Sequence, residues 1–388
     1  MSGAPLGAPR QKGLELADIV RAHGEAFRRT RPLTVEQAAA LRDIERCRTA
    51  ALGGHLEYCD SCGYEHAAHN SCRNRHCPKC QCLAAEKWIA GRELRVLPTR
   101  HFHVVFTLPA ELRGLARYRP SLVYDMLFAA AAETIKELAC DPRHLGAEIG
   151  MSAVLHTWTR ELGFHPHVHC IVTGGGLAPD GTRWIGTRKG YLFPVHVMGA
   201  LLRGKMLDAL RRAHAKGAFD GYDAFDDPEG FDRLMARLPR KPWHVYAKRA
   251  FQGAAQVFRY LGRYTHRVGI ANSRLVSMVD GQVTFRTKNG KVVTLEALEF
   301  LDRFVKHVLP HGFVKIRHYG LLAAGNVNGK LVRARSLLTP ANAPSSARVA
   351  ALSWPDRLLA LTGRDVRSCP RCGRPLQTLP LPEPRAPP

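Results

Sequence analysis

The sequence predicts an α+β protein in which a small cysteine-rich unit precedes a larger unit of antiparallel strands flanked by helices. Six of the eleven cysteines fall between Cys59 and Cys82. Two strand-like segments, residues 150–158 and 167–173, are separated by a short turn-like segment, a pattern typical of an antiparallel hairpin. A long amphipathic segment at residues 119–140 predicts a helix that precedes them.

The elements before this helix follow from local signals. Residues 1–30 are small and basic and are predicted as a loose arm. A helix is predicted over residues 31–45, where Thr34 can cap the first turn, and another over residues 83–98. Residues 101–108 are β-branched and aromatic, which predicts a strand.

The elements after the hairpin are less regular along the chain. They are predicted as a strand at residues 191–197, a helix at 199–217, a helix at 253–266, strands within 274–296 and a helix at 296–308. Glycine-containing turns separate the strands of residues 274–296. The last forty residues are rich in Pro, Ala and Arg.

The charge of the chain indicates a polyanionic partner. Lys and Arg number 57 against 33 Asp and Glu, which gives a net charge of +24 and a pI near 10.0. A basic surface of this size favours nucleic acid over the alternatives, a general solubility role or a membrane surface. No apolar run approaches the roughly 18 residues of a membrane span, and no secretory signal is visible, so the expected location is the cytoplasm.

The cysteine-rich segment has the spacing of a structural zinc site. Cys59 and Cys62 form one Cys-x2-Cys knuckle, and Cys77 and Cys80 form a second one after fourteen intervening residues. Two such knuckles brought together supply the four thiolates that tetrahedral zinc prefers. We therefore predict structural Zn²⁺ on these four residues, with the basic flank of the segment as a nucleic-acid contact.

The remaining cysteines have weaker signals. Cys72 and His76 lie between the knuckles and are alternative ligands. Cys47 and Cys82 are predicted to be packing residues. Cys369 and Cys372 form a single knuckle, which is half of a site unless another chain segment or a partner completes it.

Three histidines on alternate residues predict a second, different metal site. His165, His167 and His169 share one face of a strand, and two imidazoles at i and i+2 can chelate one divalent cation. Across the inferred hairpin, His156 would lie beside them as a third ligand. Imidazoles suit Zn, Mn, Ni and Fe, so the pattern leaves the ion open, and surface or packing histidines are the alternative.

A predicted helix places two tyrosines on one face. Tyr260 and Tyr264 are four residues apart, and an adjacent face carries cations that could bind phosphates: Arg259, Arg263 and Arg267. A tyrosine hydroxyl can attack phosphorus once its proton is removed. The spacing by itself is more typical of ordinary half-buried packing.

Taken together, these segments resemble a known family. In order, the chain contains NSCRNRHCPKCQ, HFHVVFTLP, VLHTW, HPHVHCIVTGGGL, YLGRYTHRVGIAN and VLPHGFVKIRHYGLLA. This series, which runs from about Cys47 to Leu322, resembles the rolling-circle insertion-sequence transposases of the insertion sequence ninety-one type. These are two-tyrosine HUH nucleases with an N-terminal zinc-binding domain.

The resemblance implies a nuclease core of antiparallel sheet flanked by helices. It implies that His167 and His169 bind a catalytic Mg²⁺ or Mn²⁺ ion. The motif does not fix the third ligand, for which we favour His156 over His165. It also implies four parts: an N-terminal arm with the zinc-binding domain (1–98), the nuclease domain (99–275), a β-rich and helical extension (276–345) and a basic tail with one knuckle (346–388).

The resemblance also implies a reaction. Tyr260 and Tyr264 match the two nucleophiles, which cleave and transfer single-stranded DNA through 5′-phosphotyrosine intermediates. The expected partners are single-stranded DNA at the element ends and target DNA, with the protein on the bacterial nucleoid when bound, and no membrane. The alternatives are a non-catalytic zinc-ribbon DNA-binding protein, which leaves the histidines unexplained, and a small-substrate metal hydrolase, which leaves the charge unexplained.

Overall fold

A computed structural model describes residues 13–80, 95–188, 190, 192–251, 269–287, 289–339, 353–363 and 365–381. Its α-helices are α1 Leu16–Thr30, α2 Val35–Arg46, α3 Arg113–Tyr118, α4 Pro120–Cys140, α5 Val195–His214, α6 Gly230–Arg237, α7 Ala297–Val305, α8 Lys330–Leu338 and α9 Trp354–Thr362. Its strands are β1 Gly54–Cys59, β2 Tyr64–His69, β3 His101–Thr107, β4 Glu148–Trp158, β5 Phe164–Leu177, β6 Trp184–Gly186, β7 Val245–Phe251, β8 Leu275–Val279, β9 Gln282–Arg286, β10 Val292–Glu296, β11 Ile316–Gly320 and β12 Gln377–Pro380. The fold is α+β, as the sequence predicts.

The central sheet is antiparallel, with strand order β11-β4-β5-β3-β7 and with β6 paired to the end of β5. The predicted hairpin is its middle, since β4 and β5 pair along most of their length. Helices α4 and α5 pack on one face, where alternate residues of β5 such as Val168, Cys170 and Val172 are fully buried. The opposite face carries polar side chains such as His156 and His167, together with the buried Val154 and Ile171.

Glycines allow the strands to approach closely at one end of this sheet. A Cβ at Gly176 would lie 2.5 Å from the carbonyl oxygen of Glu148, and one at Gly174 would lie 2.8 Å from that of Arg100. Neither position accepts a larger residue without a backbone shift. The run of three glycines that ends β5 is therefore a requirement of strand packing.

The loose arm predicted for residues 1–30 is wrong over α1, which is a buried part of the structure, and residues 1–12 lie outside the described residues. Leu16, Ile19, Val20 and Phe27 recur at helical spacing and are buried in a cluster shared with α2, β8–β10 and α7. Basic residues of α1 lie between these positions. The average composition of the segment is therefore polar and does not reveal the apolar stripe.

Most other predicted elements are present. α2 begins after Thr34, whose side chain accepts a hydrogen bond from Gln37 in a capping box. The strand predicted at residues 191–197 is wrong, because α5 begins at Val195 and the carbonyl oxygen of Pro194 accepts its first helical hydrogen bond, from the amide of Met198 at 3.0 Å. The predicted helix at 253–266 and most of that at 83–98 lie outside the described residues.

The hydrophobic clusters cross the predicted domain boundaries. One cluster joins α1 and α2 to residues 270–305, so the N-terminal part and the β8–β10 extension share a core. At the other end of the chain, β12 pairs antiparallel with β1. The predicted tail thus returns to the N-terminal hairpin and forms a three-stranded sheet with it, in the order β12-β1-β2.

Candidate active site and cysteine clusters

Three histidines meet on the open face of the central sheet. The register of β4 and β5 places His156 directly opposite His167, and Val154 opposite His169. Ring centroids lie 5.5 Å apart for His156 and His167, 4.3 Å for His156 and His169, and 4.8 Å for His167 and His169. One nitrogen from each ring lies within 4.8 Å of the other two, an arrangement that could hold a metal ion.

Hydrogen bonds fix the orientation of two of these rings. The Nδ1–H of His167 donates to the carbonyl oxygen of His165 at 2.6 Å, which leaves Nε2 as the free acceptor. Nδ1 of His169 lies 2.8 Å from Nε2 of His103 on the neighbouring strand β3. If His169 donates in this bond, its own Nε2 is available to a cation, the arrangement usual for metal-bound histidines.

Burial keeps His167 and His103 neutral at physiological pH. Desolvation lowers the pKa of His167 to about 4, and desolvation together with the positive charge of Lys248 lowers the pKa of His103 to about 4. A neutral imidazole retains the lone pair that binds a metal or accepts a hydrogen bond. At neutral pH, His167 can therefore act as a ligand and His103 as the acceptor for His169.

His165 is placed differently from the other three. Its Nδ1 accepts a hydrogen bond from Arg113 at 2.7 Å, and its ring centroid lies 5.4 Å from that of His167. It does not belong to the group of nitrogens that converge within 4.8 Å. The geometry therefore favours His156 over His165 as the third member of the set.

The histidines lie in a cleft of about 450 Å³ with a basic and aromatic lining. Arg160, Lys248 and Arg274 contribute the cationic groups, and Trp158 and Tyr246 contribute the aromatic rings. Tyr246 is 56% exposed. Trp158 stacks on His156 with centroids 4.7 Å apart and an interplanar angle of 18°, which restrains the plane of that imidazole.

The predicted tyrosines and the arginines beside them lie outside the described residues: Tyr260, Tyr264, Arg259, Arg263 and Arg267. The described chain on either side of this gap does line the cleft. Tyr246 and Lys248 of β7 contribute to it before the gap, and Gly269 and Ala271 contribute to it after the gap.

The sequence reasoning missed His103. The signal was present, because HFH at residues 101–103 is another His-x-His pattern on a predicted strand. Lys315 was also missed: it is buried, its Nζ lies 5.1 Å from the ring of Trp158, and desolvation lowers its pKa to about 7. No local pattern distinguishes this lysine from the many basic residues on the surface.

Eight of the cysteines in the described residues form two clusters, and the predicted set of Cys59, Cys62, Cys77 and Cys80 is wrong. The two knuckles lie in different clusters, each completed by other residues: Cys47, Cys72, Cys77 and Cys80 in the first cluster, and Cys59, Cys62, Cys369 and Cys372 in the second. The reason is the fold, because the β1–β2 hairpin separates the knuckles while the end of α2 and the paired β12 bring other thiols to each.

The first cluster corrects two further assignments. Cys47, predicted as a packing residue, lies 3.6 Å by Sγ from both Cys77 and Cys80, and Cys72 lies 3.6 Å from Cys80. The alternative ligand His76 instead accepts a hydrogen bond from the amide of Leu309 at 3.1 Å. Cys82 lies outside the described residues.

The spacing of these thiols fits zinc. A tetrahedral Zn–S shell with bonds of about 2.3 Å places neighbouring sulfurs about 3.8 Å apart. Three of the Sγ separations in the first cluster are 3.6 Å, and all lie within 4.8 Å. Hydrogen bonds from Cys72 and Cys77 also lower the pKa of Cys47, so this cluster stabilises a thiolate.

Comparisons with known proteins agree with the two parts of this architecture. Residues 19–108, which contain the first cysteine cluster, match the family described as "Transposase zinc-binding domain". Residues 150–330, which contain the three converging histidines, match the family described as "Putative transposase". The fold and the matches define a transposase with an N-terminal zinc-binding domain.

Two curated relatives cover most of the chain. It is 47% identical over 372 residues to a protein of Sinorhizobium fredii named "Putative transposase y4qJ", across 93% of this chain and 94% of the relative. It is 29% identical over 344 residues to the transposase for insertion sequence element IS801 of Pseudomonas savastanoi pv. phaseolicola, across 79% and 78% of the two chains. No solved structure matches it significantly. The chain belongs to the rolling-circle insertion-sequence transposases of the insertion sequence ninety-one type.

Across the ranges that the structure describes, no helix combines the length and the apolar character that crossing a bilayer requires.

Proposed function

We propose that this transposase cleaves and rejoins single-stranded DNA at the ends of its element and in the target, with a divalent ion held by His156, His167 and His169. The observation that carries the proposal is the convergence of three imidazole nitrogens within 4.8 Å on the floor of an open basic cleft. Three protein ligands leave coordination positions for substrate oxygens, which a catalytic ion requires and a structural ion does not.

The donor set fits a divalent cation. His167 is neutral at physiological pH, its Nδ1 is occupied by a backbone carbonyl, and its Nε2 is directed by that bond. When bound, Mg²⁺ or Mn²⁺ would polarise the scissile phosphate and stabilise the charge that develops on it. The protein holds the three rings in place through the strand register, the stacking of Trp158 and the hydrogen bond to His103.

The nucleophiles in this proposal are Tyr260 and Tyr264. A phenolic oxygen attacks the phosphorus, a bond forms between tyrosine and the 5′-phosphate, and the bond to the 3′ oxygen breaks to leave a free 3′-hydroxyl. Attack by a 3′-hydroxyl on the phosphotyrosine reverses the process and restores the phenol. Support comes from the family resemblance and from the cleft, which is lined by the described residues on both sides of the tyrosine segment.

The cleft lining suits an unpaired strand. Arg160 and Lys248 provide positive charge for phosphates, and the exposed ring of Tyr246 provides a surface on which a base can stack. Arg274 is held toward the same region by hydrogen bonds to the carbonyl oxygens of Arg286 and Arg160, both at 2.6 Å. A strand inside a duplex would not expose its bases to such a surface.

The test is formation of a covalent adduct with a labelled single-stranded oligonucleotide that carries the element end. With Mn²⁺, the wild-type protein should give a DNA-linked band on a denaturing gel, and the double variant Tyr260→Phe, Tyr264→Phe should give none. Tyr118→Phe is the matched control, because Tyr118 bonds to the carbonyl of Asp220 and does not line the cleft. An adduct of full yield in the double variant, or one mapped to Tyr246, would refute the assignment.

The competing function is a DNA-binding protein without catalysis. EDTA separates the two, since zinc held by four thiolates resists brief chelation while a weakly held catalytic ion does not. The proposal requires that EDTA stops cleavage while DNA binding persists, and that added Mg²⁺ or Mn²⁺ restores cleavage.

A further inference from the structure

The C-terminal segment of the chain is docked on the N-terminal hairpin. β12 pairs with β1 from His55 opposite Pro380 to Tyr58 opposite Gln377. The Tyr58 hydroxyl donates to the side-chain oxygen of Gln377 at 2.6 Å, and the amide nitrogen of Gln377 donates to Asp60 at 2.6 Å. Arg371 adds a hydrogen bond of 3.2 Å to the carbonyl oxygen of Cys62.

This docked segment has almost no hydrophobic core. Cys369 is its one buried residue among the positions from 353 to 381 whose exposure is described, and all four residues of β12 are exposed. Apolar burial therefore contributes little to holding it in place. Segments of this kind need a cross-link or a metal ion to fold.

The two chain segments meet through matching cysteine knuckles. Each knuckle reads Cys-x2-Cys-Gly, and both glycines, Gly63 and Gly373, adopt left-handed φ values of +65° and +74°. In each, the glycine amide donates to the carbonyl oxygen of the first cysteine, at 3.0 Å to Cys59 and 2.8 Å to Cys369. The amide of Arg371 also donates to the sulfur of Cys369 at 3.4 Å, a bond that stabilises a thiolate.

The four thiols face one another across the interface. Cys59 lies 3.5 Å by Sγ from Cys372, and Cys62 lies 3.6 Å from Cys369. All four sulfurs lie within 4.8 Å of one another. These values are close to the separation of about 3.8 Å expected around tetrahedral zinc.

We propose that Cys59, Cys62, Cys369 and Cys372 bind a second structural Zn²⁺ ion, which joins the C-terminal segment to the β1–β2 hairpin. Each thiol releases its proton on binding, no oxidant is needed, and the four thiolates close the coordination shell. The site is separate from the first cluster and requires residues outside the matched zinc-binding domain of residues 19–108. It is independent of the proposed cleavage chemistry, because no ligand of the histidine site takes part.

The direct test is the zinc content of the purified full-length protein, measured by mass spectrometry of the metal. The wild-type chain should contain two zinc ions, and Cys369→Ser, Cys372→Ser should contain one. The variant Cys59→Ser, Cys62→Ser should also contain one zinc ion. The variant that combines all four substitutions should still contain one. Cys140→Ser is the control that keeps two, because this exposed cysteine belongs to neither cluster.

The variant Cys77→Ser, Cys80→Ser tests whether the two clusters bind zinc independently. It should lose the zinc ion of the first cluster and retain the proposed one. The proposal is overturned if the wild-type chain holds a single zinc ion, or if the Cys369 and Cys372 substitutions leave two in place.

A second measurement uses the wild-type protein, so a folding defect cannot confuse it. Cys372 and Cys140 are both exposed, yet only Cys372 is a proposed ligand. Under native conditions N-ethylmaleimide should modify Cys140 at once and Cys372 only after zinc is removed, as read by peptide mass mapping. Equal rates at the two cysteines in zinc-replete protein would contradict the proposal.

Discussion

At the scale of single residues, the proposed metal site includes a histidine, His103, that lies outside the three converging imidazoles. Nε2 of His103 lies 2.8 Å from Nδ1 of His169, and His103 is buried and neutral. With its proton on Nδ1, His169 would donate to His103 and keep its lone pair on Nε2 for the proposed ion. In the proposed site, His103 therefore acts as a positioning residue.

We predict that His103→Leu lowers the affinity for Mn²⁺ by about 10- to 100-fold, the range seen when a partner of a ligating histidine is lost. His103→Gln, whose side-chain oxygen can accept the same bond, should recover part of it. Mn²⁺ titration of adduct formation measures both. His101→Leu on the same strand is the control, since the Nδ1 of His101 bonds to the carbonyl of Thr99; unchanged Mn²⁺ dependence in His103→Leu would exclude the positioning role.

His307 predicts a pH dependence of stability. It is fully buried, bonded to Thr157 and to the carbonyl of Leu162, and desolvation lowers its pKa to about 4. Above the unfolded-state pKa of about 6.5 it is neutral in both states and adds no pH dependence. As the pH falls from there toward 4, only the unfolded chain gains the proton, so the folded state loses stability.

The difference between the folded-state and unfolded-state pKa values of His307 lowers the free energy of unfolding by roughly 3 kcal/mol at most, because a pKa difference of one corresponds to about 1.4 kcal/mol. We expect His307→Gln to flatten the decline of the melting temperature between about pH 6.5 and 4 relative to wild type. Thermal unfolding across this pH range is the measurement, and parallel curves for the two proteins would argue against the assignment.

At the scale of elements, the alternation of β5 was visible in the sequence and α1 was not. The histidines of β5 occupy one face while Val168 and Cys170 fill the core, as strict period-two alternation requires. α1 was obscured because its apolar stripe is interrupted by basic residues and because the surface it packs against, α7, is far away in the sequence.

If α1 is a structural element, Phe27→Ala should lower the free energy of unfolding by about 3–5 kcal/mol, the usual cost of removing a buried phenylalanine. Phe27 is completely buried. Arg29→Ala is the control on the same helix, because the exposed pair with Glu25 is worth little. Chemical denaturation measures both, and a loss below about 1 kcal/mol for Phe27→Ala would favour the loose arm.

At the scale of the whole molecule, the net charge of +24 favours binding to polyanions such as DNA. Binding to single strands should weaken steeply with salt, because each neutralised phosphate releases condensed cations. Lys248→Ala should reduce the slope of log K against log salt by about 0.7, the value for one contact to a single strand. Fluorescence anisotropy at several salt concentrations gives the slope.

The control for this experiment is Lys330→Ala. Lys330 pairs with Glu148 at 2.6 Å and does not line the cleft. Its substitution should leave the slope unchanged. If the Lys248 variant also has the wild-type slope, the DNA does not contact the cleft through Lys248.

The sequence alone determined the class of fold, the central hairpin, the histidine face of β5 and the resemblance to the transposase family. These features depend on local periodicity and on motifs that are contiguous in the chain. Cys-x2-Cys spacing likewise determined which residues form knuckles, because the two thiols of a knuckle are close neighbours in the sequence.

The tertiary structure decided which groups meet. It divided eight cysteines into two clusters, brought Cys369 and Cys372 to a hairpin more than 300 residues earlier, and placed His103 beside the histidines of β5. Any two knuckles satisfy the same local chemistry, so spacing cannot select their partners. That selection is made by strand register and, for the first cluster, by the burial of apolar surface between segments that are distant in the chain.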